Sequence, residues 1–287
     1  MWGFFMTDIS AIDWNVAWND PGAERRGKEE FVTCLERWSE PERCRKFNRM
    51  AKFDNWSGSW GRIHSMHITP ESRVLDIGAG PGTLAIPLAG IVRHVTAIEP
   101  TPGMVECLWE NINQEGIRNI KILQKKWKDI DIAKDLESPY DIVVASYSLG
   151  VPDLRDALLK MDAASGKYVY IFWFADMQSP WRRNYGEIWE QLFEVPHKET
   201  RRPNIIFNLL NQMGIYANVE ISKEEHLNRF SSIDEAVTDQ TAGLKLKTDE
   251  QISVLRDFLT KKLHEENGRY VLKGISYQAK IWWEKDI

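Results

Sequence analysis

Cysteine is scarce in this chain, with three in 287 residues. Cys34, Cys44 and Cys107 are odd in number, widely spaced and free of any C-x-x-C pair, which excludes a disulfide framework and a zinc knuckle. Cys107 falls on the apolar side of a helical pattern and reads as a small buried hydrophobe. Long apolar runs are also missing, since no segment approaches the roughly twenty uncharged apolar residues of a membrane span. The stretch Met1-Trp2-Gly3-Phe4-Phe5-Met6 is apolar, but it is too short for the core of a signal peptide and has no basic flank. A basic excess is absent as well: 37 Lys and Arg face 42 Asp and Glu, for a net charge of −5. That balance argues against a general affinity for nucleic-acid phosphates, and the pairs Arg25-Arg26, Lys125-Lys126, Arg182-Arg183 and Arg201-Arg202 read as solvated surface. Repeats and low-complexity segments do not occur. The expectation is a soluble, cytoplasmic protein with no membrane or nucleic-acid partner.

What is present is ordinary globular composition, 43% hydrophobic and 28% charged, in a chain long enough for one elaborated domain of more than the typical ~150 residues. Residues 7 to 27 show no clear period and read as an irregular arm. Phe31, Cys34, Leu35 and Trp38 then share one helical face. Ser39-Glu40-Pro41-Glu42 has the form of a capping box opening a second helix, with Cys44, Phe47 and Ala51 inward. A third helix is expected from about Asn55 to His67. Residues 1–70 are therefore expected to form a helical cap.

From Thr69-Pro70-Glu71-Ser72 onward, strand and helix patterns alternate, as in a parallel sheet with crossover helices. Strands are expected at Arg73 to Ile77, His94 to Glu99, Asn119 to Gln124, Asp141 to Ser146 and Tyr168 to Phe174. Helices are expected at about Thr83 to Val92, at Thr101-Pro102 to Gly116, with Thr101 as N-cap and Pro102 at the first helical position, and around Leu154 to Met161. Further helices read at Trp181 to Phe193 and Asn204 to Met213. A strand around Tyr216 to Ile221 precedes a last strand in which Ile275, Tyr277, Ala279 and Ile281 alternate with polar residues. Between these two strands, about residues 227–270 form an insertion with a capping box at Thr248-Asp249-Glu250-Gln251. The fold class is α/β: a doubly wound, mostly parallel sheet with an antiparallel last strand, spanning residues 71–287 and carrying the helical insertion.

The chain is organised around Val74-Leu75-Asp76-Ile77-Gly78-Ala79-Gly80-Pro81-Gly82-Thr83-Leu84. An apolar strand ends in a carboxylate, turns through three glycines and resumes as a helix, a place where a ligand can approach backbone N–H groups closely. The third glycine comes one position early for a dinucleotide fingerprint, and Thr83-Leu84 supplies no Lys-Ser or Lys-Thr for a P-loop. Asp76, two residues before the first glycine, suits an amino group or a ligand of mixed charge better than an anion. In these residues the sequence resembles the class I S-adenosylmethionine-dependent methyltransferases, whose first motif is an apolar strand, Asp or Glu, then G-x-G-x-G. Glu99, in Val95-Thr96-Ala97-Ile98-Glu99-Pro100, stands where that family places its ribose-binding acid. The resemblance covers about Arg73 to Phe174. It implies S-adenosyl-L-methionine as cofactor, with Asp76, Gly78, Ala79, Gly80, Gly82, Glu99, Pro100, Met104, Trp127 and Ser146 around it, Met104 on the adenine and Trp127 at its edge. Two departures stand out. Lys126 occupies the position where many relatives carry an Asp for the adenine amino group, and Ala145-Ser146-Tyr147-Ser148-Leu149 is not the N-P-P-Y type of the base-amine methyltransferases.

Methyl transfer needs an aligned nucleophile and exclusion of water, with a proton acceptor only for some nucleophiles. Tyr147, after the strand end that faces the sulfonium, is the first candidate at the transfer site, and His197 in Glu194-Val195-Pro196-His197-Lys198 is a candidate base. His64 and His67 are three apart on a helix without a third ligand and do not suggest a metal site. Six of thirteen tryptophans precede the core, and Trp56 or Trp60 could wall the cleft, where a π face favours a sulfonium, or simply bind the helices to the sheet. The expected function is methyl transfer to a small-molecule acceptor. The alternatives are an RNA or protein methyltransferase and a non-catalytic protein that binds S-adenosylmethionine.

Overall fold

The computed structural model describes residues 12–19, 38–53, 55–175, 184–195 and 205–285. Its centre is an eight-stranded sheet: β1 (Arg73–Ile77), β2 (His94–Ile98), β3 (Ile120–Leu123), β4 (Tyr140–Ser146), β5 (Ser165–Phe174), β6 (Asn218–Phe230), β7 (His264–Glu266) and β8 (Arg269–Glu284). The strand order is β3-β2-β1-β4-β5-β8-β6, with β7 pairing β8. The first five strands are parallel, and β8 runs antiparallel to both β5 and β6. The doubly wound sheet expected from the alternating pattern is therefore the one observed. β1 and β4 are buried almost throughout, because parallel strands covered on both faces have no solvent side.

The helices are α1 (Trp14–Trp18), α2 (Pro41–Lys52), α3 (Ser57–His64), α4 (Ala85–Ala89), α5 (Pro102–Gln114), α6 (Ile132–Asp135), α7 (Leu154–Ala164), α8 (Trp189–Phe193), α9 (Ile205–Gln212), α10 (Ile233–Leu244) and α11 (Asp249–Lys262). One face of the sheet packs Leu75, Ile77, Val143, Val169, Ile281 and Trp283 against α7 and α9. The other packs Val74, Val95, Val144, Tyr170 and Phe172 against Trp56, Ile63, Leu84 and Leu88.

The arm expected to be irregular contains α1. Asp13 caps it by accepting from the Asn15 and Val16 N–H groups, and Trp14, Ala17 and Trp18, at helical spacing, pack on the α7 and α9 face. The Trp18 indole donates to Val151 O at 2.7 Å. α2 and α3 lie on the opposite face, so the residues preceding β1 are split across the sheet. The capping box expected at Ser39-Glu40-Pro41-Glu42 is not formed. Glu40 is the N-cap and makes no side-chain cap bond. Pro41 explains the shift: its fixed φ suits the first helical position, which moves the cap one residue past Ser39. Glu42 instead pairs with Arg49 at 2.8 Å. The helix expected over Phe31 to Trp38 lies largely outside the described residues.

The larger difference concerns the last two long strands. β6 and β8 pair from Asn218↔Trp282 to Phe230↔Tyr270, whereas β5 reaches only Gln278. The pair thus continues as a ribbon past the sheet, which shortens the expected insertion at both ends. Ser222-Lys223-Glu224-Glu225 hid the extension, since an edge strand open to solvent needs no apolar alternation. At the ribbon's far end Phe230 and Leu272 join Tyr185, Trp189, Leu192, Ala236, Leu255, Phe258 and Leu259 in a separate small core. The capping box of α11 is formed as expected: Thr248 Oγ1 accepts from the Gln251 N–H at 3.2 Å and Gln251 Oε1 accepts from the Thr248 N–H at 3.1 Å. Thr248→Ala should lower stability by about 1 kcal/mol, read as a shift of the urea midpoint.

Candidate active site at the carboxyl edge of the sheet

β1 lies between β2 and β4, and the chain leaves it outward through β2 and β3 before returning to β4. A crevice opens at the carboxyl ends of strands that part in this way. Asp76 stands there, opposite Ala97 and Val144, and is only 2% exposed. The Ala85 N–H donates to its carboxylate, while Oδ2 has no hydrogen-bond partner among the described residues. Burial raises its pKa from 3.8 to about 7, against the lowering pull of Arg62 and with a further rise from Glu99. A buried carboxylate oxygen left without a donor is costly, and it fits a ligand that brings a positive donor of its own.

The loop after Asp76 is held by backbone bonds. The Gly78 and Ala79 N–H groups donate to Ile98 O at 2.7 and 3.0 Å. Gly78 has φ +72°, and a Cβ there would lie 2.3 Å from Ser148 Cβ, so only glycine fits. Gly82, at φ +95°, brings the chain against Ile86 and Leu108. Between them the Gly80 N–H donates to Glu99 Oε2 at 2.9 Å, and the Thr101 N–H donates to Glu99 Oε1 at 2.8 Å. Glu99 is thereby fixed with lone pairs to spare on both oxygens, and burial raises its pKa. Thr101 is the N-cap of α5, as expected, but makes no side-chain cap bond; its hydroxyl serves Glu99 instead.

The remaining expected residues divide between crevice and core. Pro100 follows Glu99 and is half-buried. Met104, on the first turn of α5, packs with Cys44 and Cys107 and touches Trp38 and Phe47. Cys107 is buried and unpaired. Trp127 sits in the core, its indole N–H donating to Ala157 O at 3.1 Å, so it has no polar group left to offer a ligand. Ser146 ends β4, and its hydroxyl accepts from Arg62 Nη1 at 2.6 Å. Tyr147 follows at φ +54°. Its hydroxyl donates to Gln278 Oε1 at 2.8 Å, its ring stands 4.7 Å from that of Phe174, and burial above all holds its pKa well above the ordinary phenol range. The phenol is therefore neutral and is not a base.

His197 lies outside the described residues. The His64 ring lies tilted 5.4 Å from that of Trp60 and His67 Nδ1 is 2.5 Å from Tyr170 Oη; among the described residues no three metal-ligating side chains come together. Trp56, offered as a cleft wall, is 4% exposed and packs in the α3 and α4 core, the plainer of its two expected roles. Arg62, Gln278 and Glu224 were not anticipated. Gln278 and Glu224 sit on a ribbon whose register the sequence hid. Arg62 did leave a signal, because with Ser59, Ile63 and Met66 it falls on the helical stripe that is otherwise buried.

A methyltransferase-domain family model matches residues 74–165. An uncharacterized protein of Haemophilus influenzae is 29% identical over 228 residues, 78% of this chain and 80% of that protein. A protein-L-isoaspartate O-methyltransferase of Protochlamydia amoebophila is 29% identical over 102 residues, and the match spans 36% of this chain and 46% of that enzyme. Among solved structures, the YcgJ protein of Bacillus subtilis shares the fold with a TM-score of 0.52 at 15% identity, covering 80% of this chain and 99% of that one.

Two measurements test this geometry. Gly78→Ala should leave a folded protein of reduced stability that no longer binds S-adenosylhomocysteine by calorimetry, since the loop must move to clear Ser148. Asp76 keeps a proton in the folded chain that the unfolded chain has released, so its contribution to stability is full below pH 4 and is lost as pH rises towards about 7. Asp76→Asn should remove a fall of a few kcal/mol over that interval, measured by urea unfolding at several pH values in the absence of ligand.

Proposed function

We propose that the chain is a class I S-adenosylmethionine-dependent methyltransferase, a reading supported by the methyltransferase-domain match over residues 74–165, and that it methylates a small-molecule acceptor bound at the carboxyl edge of β4 and β5. The observation that carries the site assignment is the unpartnered Oδ2 of Asp76 beside the glycine loop, and the residues around it suit the cofactor. Asp76 receives the ammonium group, and Glu99, held by Gly80 and Thr101, receives the ribose hydroxyls. Gly78, Ala79, Gly80 and Gly82 allow the backbone to approach, Pro100 and Met104 border the adenine, and Trp127 supports that side from the core. When bound, S-adenosylmethionine supplies an electrophilic methyl group on a sulfonium centre.

The chain's own part is to orient the acceptor and keep water out. Ser146 and Tyr147 mark where the acceptor meets the crevice. The Tyr147 phenol, fixed by Gln278 and neutral, positions by hydrogen bonding and accepts no proton. In this reading α2 and α3 form a cap over the cofactor side, and the ribbon with α10 and α11 bounds the acceptor side. The acidic net charge of −5 and the buried polar side chain of Gln278 support a small polar acceptor. A protein acceptor is the second reading, favoured by the likeness to an enzyme named for protein L-isoaspartate.

Incubating the protein with methyl-labelled cofactor and a cell extract, then separating by size, tests the reading. Label in the small-molecule fraction supports it, label in protein or RNA overturns the acceptor class, and cofactor binding without transfer overturns catalysis. Glu99→Gln should weaken S-adenosylhomocysteine binding by about 1–3 kcal/mol, read by calorimetry.

A further inference from the structure

Among the described residues Arg62 is a cation with no anion in contact. It lies on the sheet-facing side of α3, between buried Ser59 and Ile63. Its guanidinium donates to Ser146 Oγ at 2.6 Å, to Gly58 O at 3.1 Å and to Ser59 Oγ at 3.4 Å. Every one of these partners is neutral, and among the described residues no carboxylate pairs with Arg62. Other partly buried cations do have one: Lys280 meets Glu220 at 2.8 Å and Lys285 meets Asp162. Burial disfavours the Arg62 charge, and what offsets that cost is the Tyr147 ring, 5.9 Å from the guanidinium, with the charges of Glu224 and Asp76, neither of which is within ion-pair distance. With at most three of its five N–H groups engaged, the guanidinium retains donors for a ligand.

Asp76 presents the complementary case. It is the charged group whose burial is opposed first by Arg62, yet its Oδ2 receives no hydrogen bond from that arginine or from anything else among the described residues. The two groups feel each other's charge without touching. The bond to Ser146 fixes Arg62 at the end of β4, directly beside β1, because Ala145 pairs with Ile77 in the parallel register. A carboxylate and a guanidinium held apart at one crevice match a ligand end that carries both an ammonium and a carboxylate.

We propose that Arg62 binds the carboxylate, and Asp76 the ammonium, of the amino-acid end of the cofactor, with Ser146 as the residue that positions Arg62. This rests on the cofactor reading above and adds a residue outside the glycine motif. It also gives the Ser146 hydroxyl a role that acts through Arg62 rather than on the cofactor. An anionic group on the acceptor is the competing occupant, since the guanidinium also lies 5.9 Å from the Tyr147 ring; the unpartnered Oδ2 of Asp76, which calls for an ammonium at the same edge, favours the cofactor.

The test is equilibrium binding, with no turnover needed. Titrating the wild-type protein with S-adenosylhomocysteine, its decarboxylated analogue and 5′-methylthioadenosine, which lacks the whole amino-acid end, isolates the carboxylate. The wild type should bind S-adenosylhomocysteine about tenfold to a hundredfold more tightly than the decarboxylated analogue, the range for a charge-assisted hydrogen-bonded pair. Arg62→Met should reduce that ratio to less than about threefold while leaving 5′-methylthioadenosine binding unchanged. Equal wild-type affinity for the two longer ligands overturns the proposal with no variant required. A variant that loses both S-adenosylhomocysteine and 5′-methylthioadenosine equally overturns it in favour of a structural role for Arg62. A variant that keeps the wild-type ratio but loses affinity for the acceptor overturns it in favour of the competing occupant. Failure of the wild type to bind S-adenosylhomocysteine at all is a different result, and it removes the cofactor reading itself.

Discussion

A buried carboxylate governs the architecture of the carboxyl edge. Asp76 is one residue from the end of the central strand, flanked by β2 and β4, and one of its oxygens has no donor among the described residues. Strand pairing on both sides and the bond from the Ala85 N–H leave it only 2% exposed. The energy to hold it there comes from elsewhere, from Val74, Leu75 and Ile77 packed on the two faces of the sheet. A site that places an unsatisfied charge against a crevice is preorganised for a ligand of opposite charge, and its instability without that ligand follows from the same burial.

Glu99 performs a second kind of work. Its two oxygens tie the glycine loop to the start of α5 through Gly80 and Thr101. The loop's shape is therefore set by contacts between neighbouring strand ends more than by the glycines, which only permit it. α5 in turn carries α2, with Gly103 close against Cys44 and Asn111 donating to Asn48 at 2.8 Å in the buried interface. Movement of α2 would be felt at Met104 and at the loop.

Towards β8 the sheet changes character. Beyond Gln278, β8 is paired only by β6 and β7, and the ribbon ends in a core of its own around Tyr185, Phe258 and Leu259. Gln278, Glu224 and the Asn184 side chain packed on Gly274 belong to this part of the molecule.

Local sequence determined what depends on local chemistry. Strands β1 to β5, the glycine turn, the carboxylates Asp76 and Glu99 and the α11 capping box were legible, because periodicity, glycine spacing and cap geometry act over a few residues. The short helix at Trp14 was missed for want of length, and Pro41 shifted a cap that the pattern placed one residue early. The β6 ribbon was hidden because solvent on its open edge tolerates Lys223 and Glu225 as well as valine. Only tertiary structure decided which polar groups meet. Arg62 reaches Ser146 across 84 positions of chain, and Tyr147 finds Gln278 across 131. Nothing in the spacing of those residues specifies such meetings, since they arise where a helix, two parallel strands and an antiparallel return converge on one edge of the sheet.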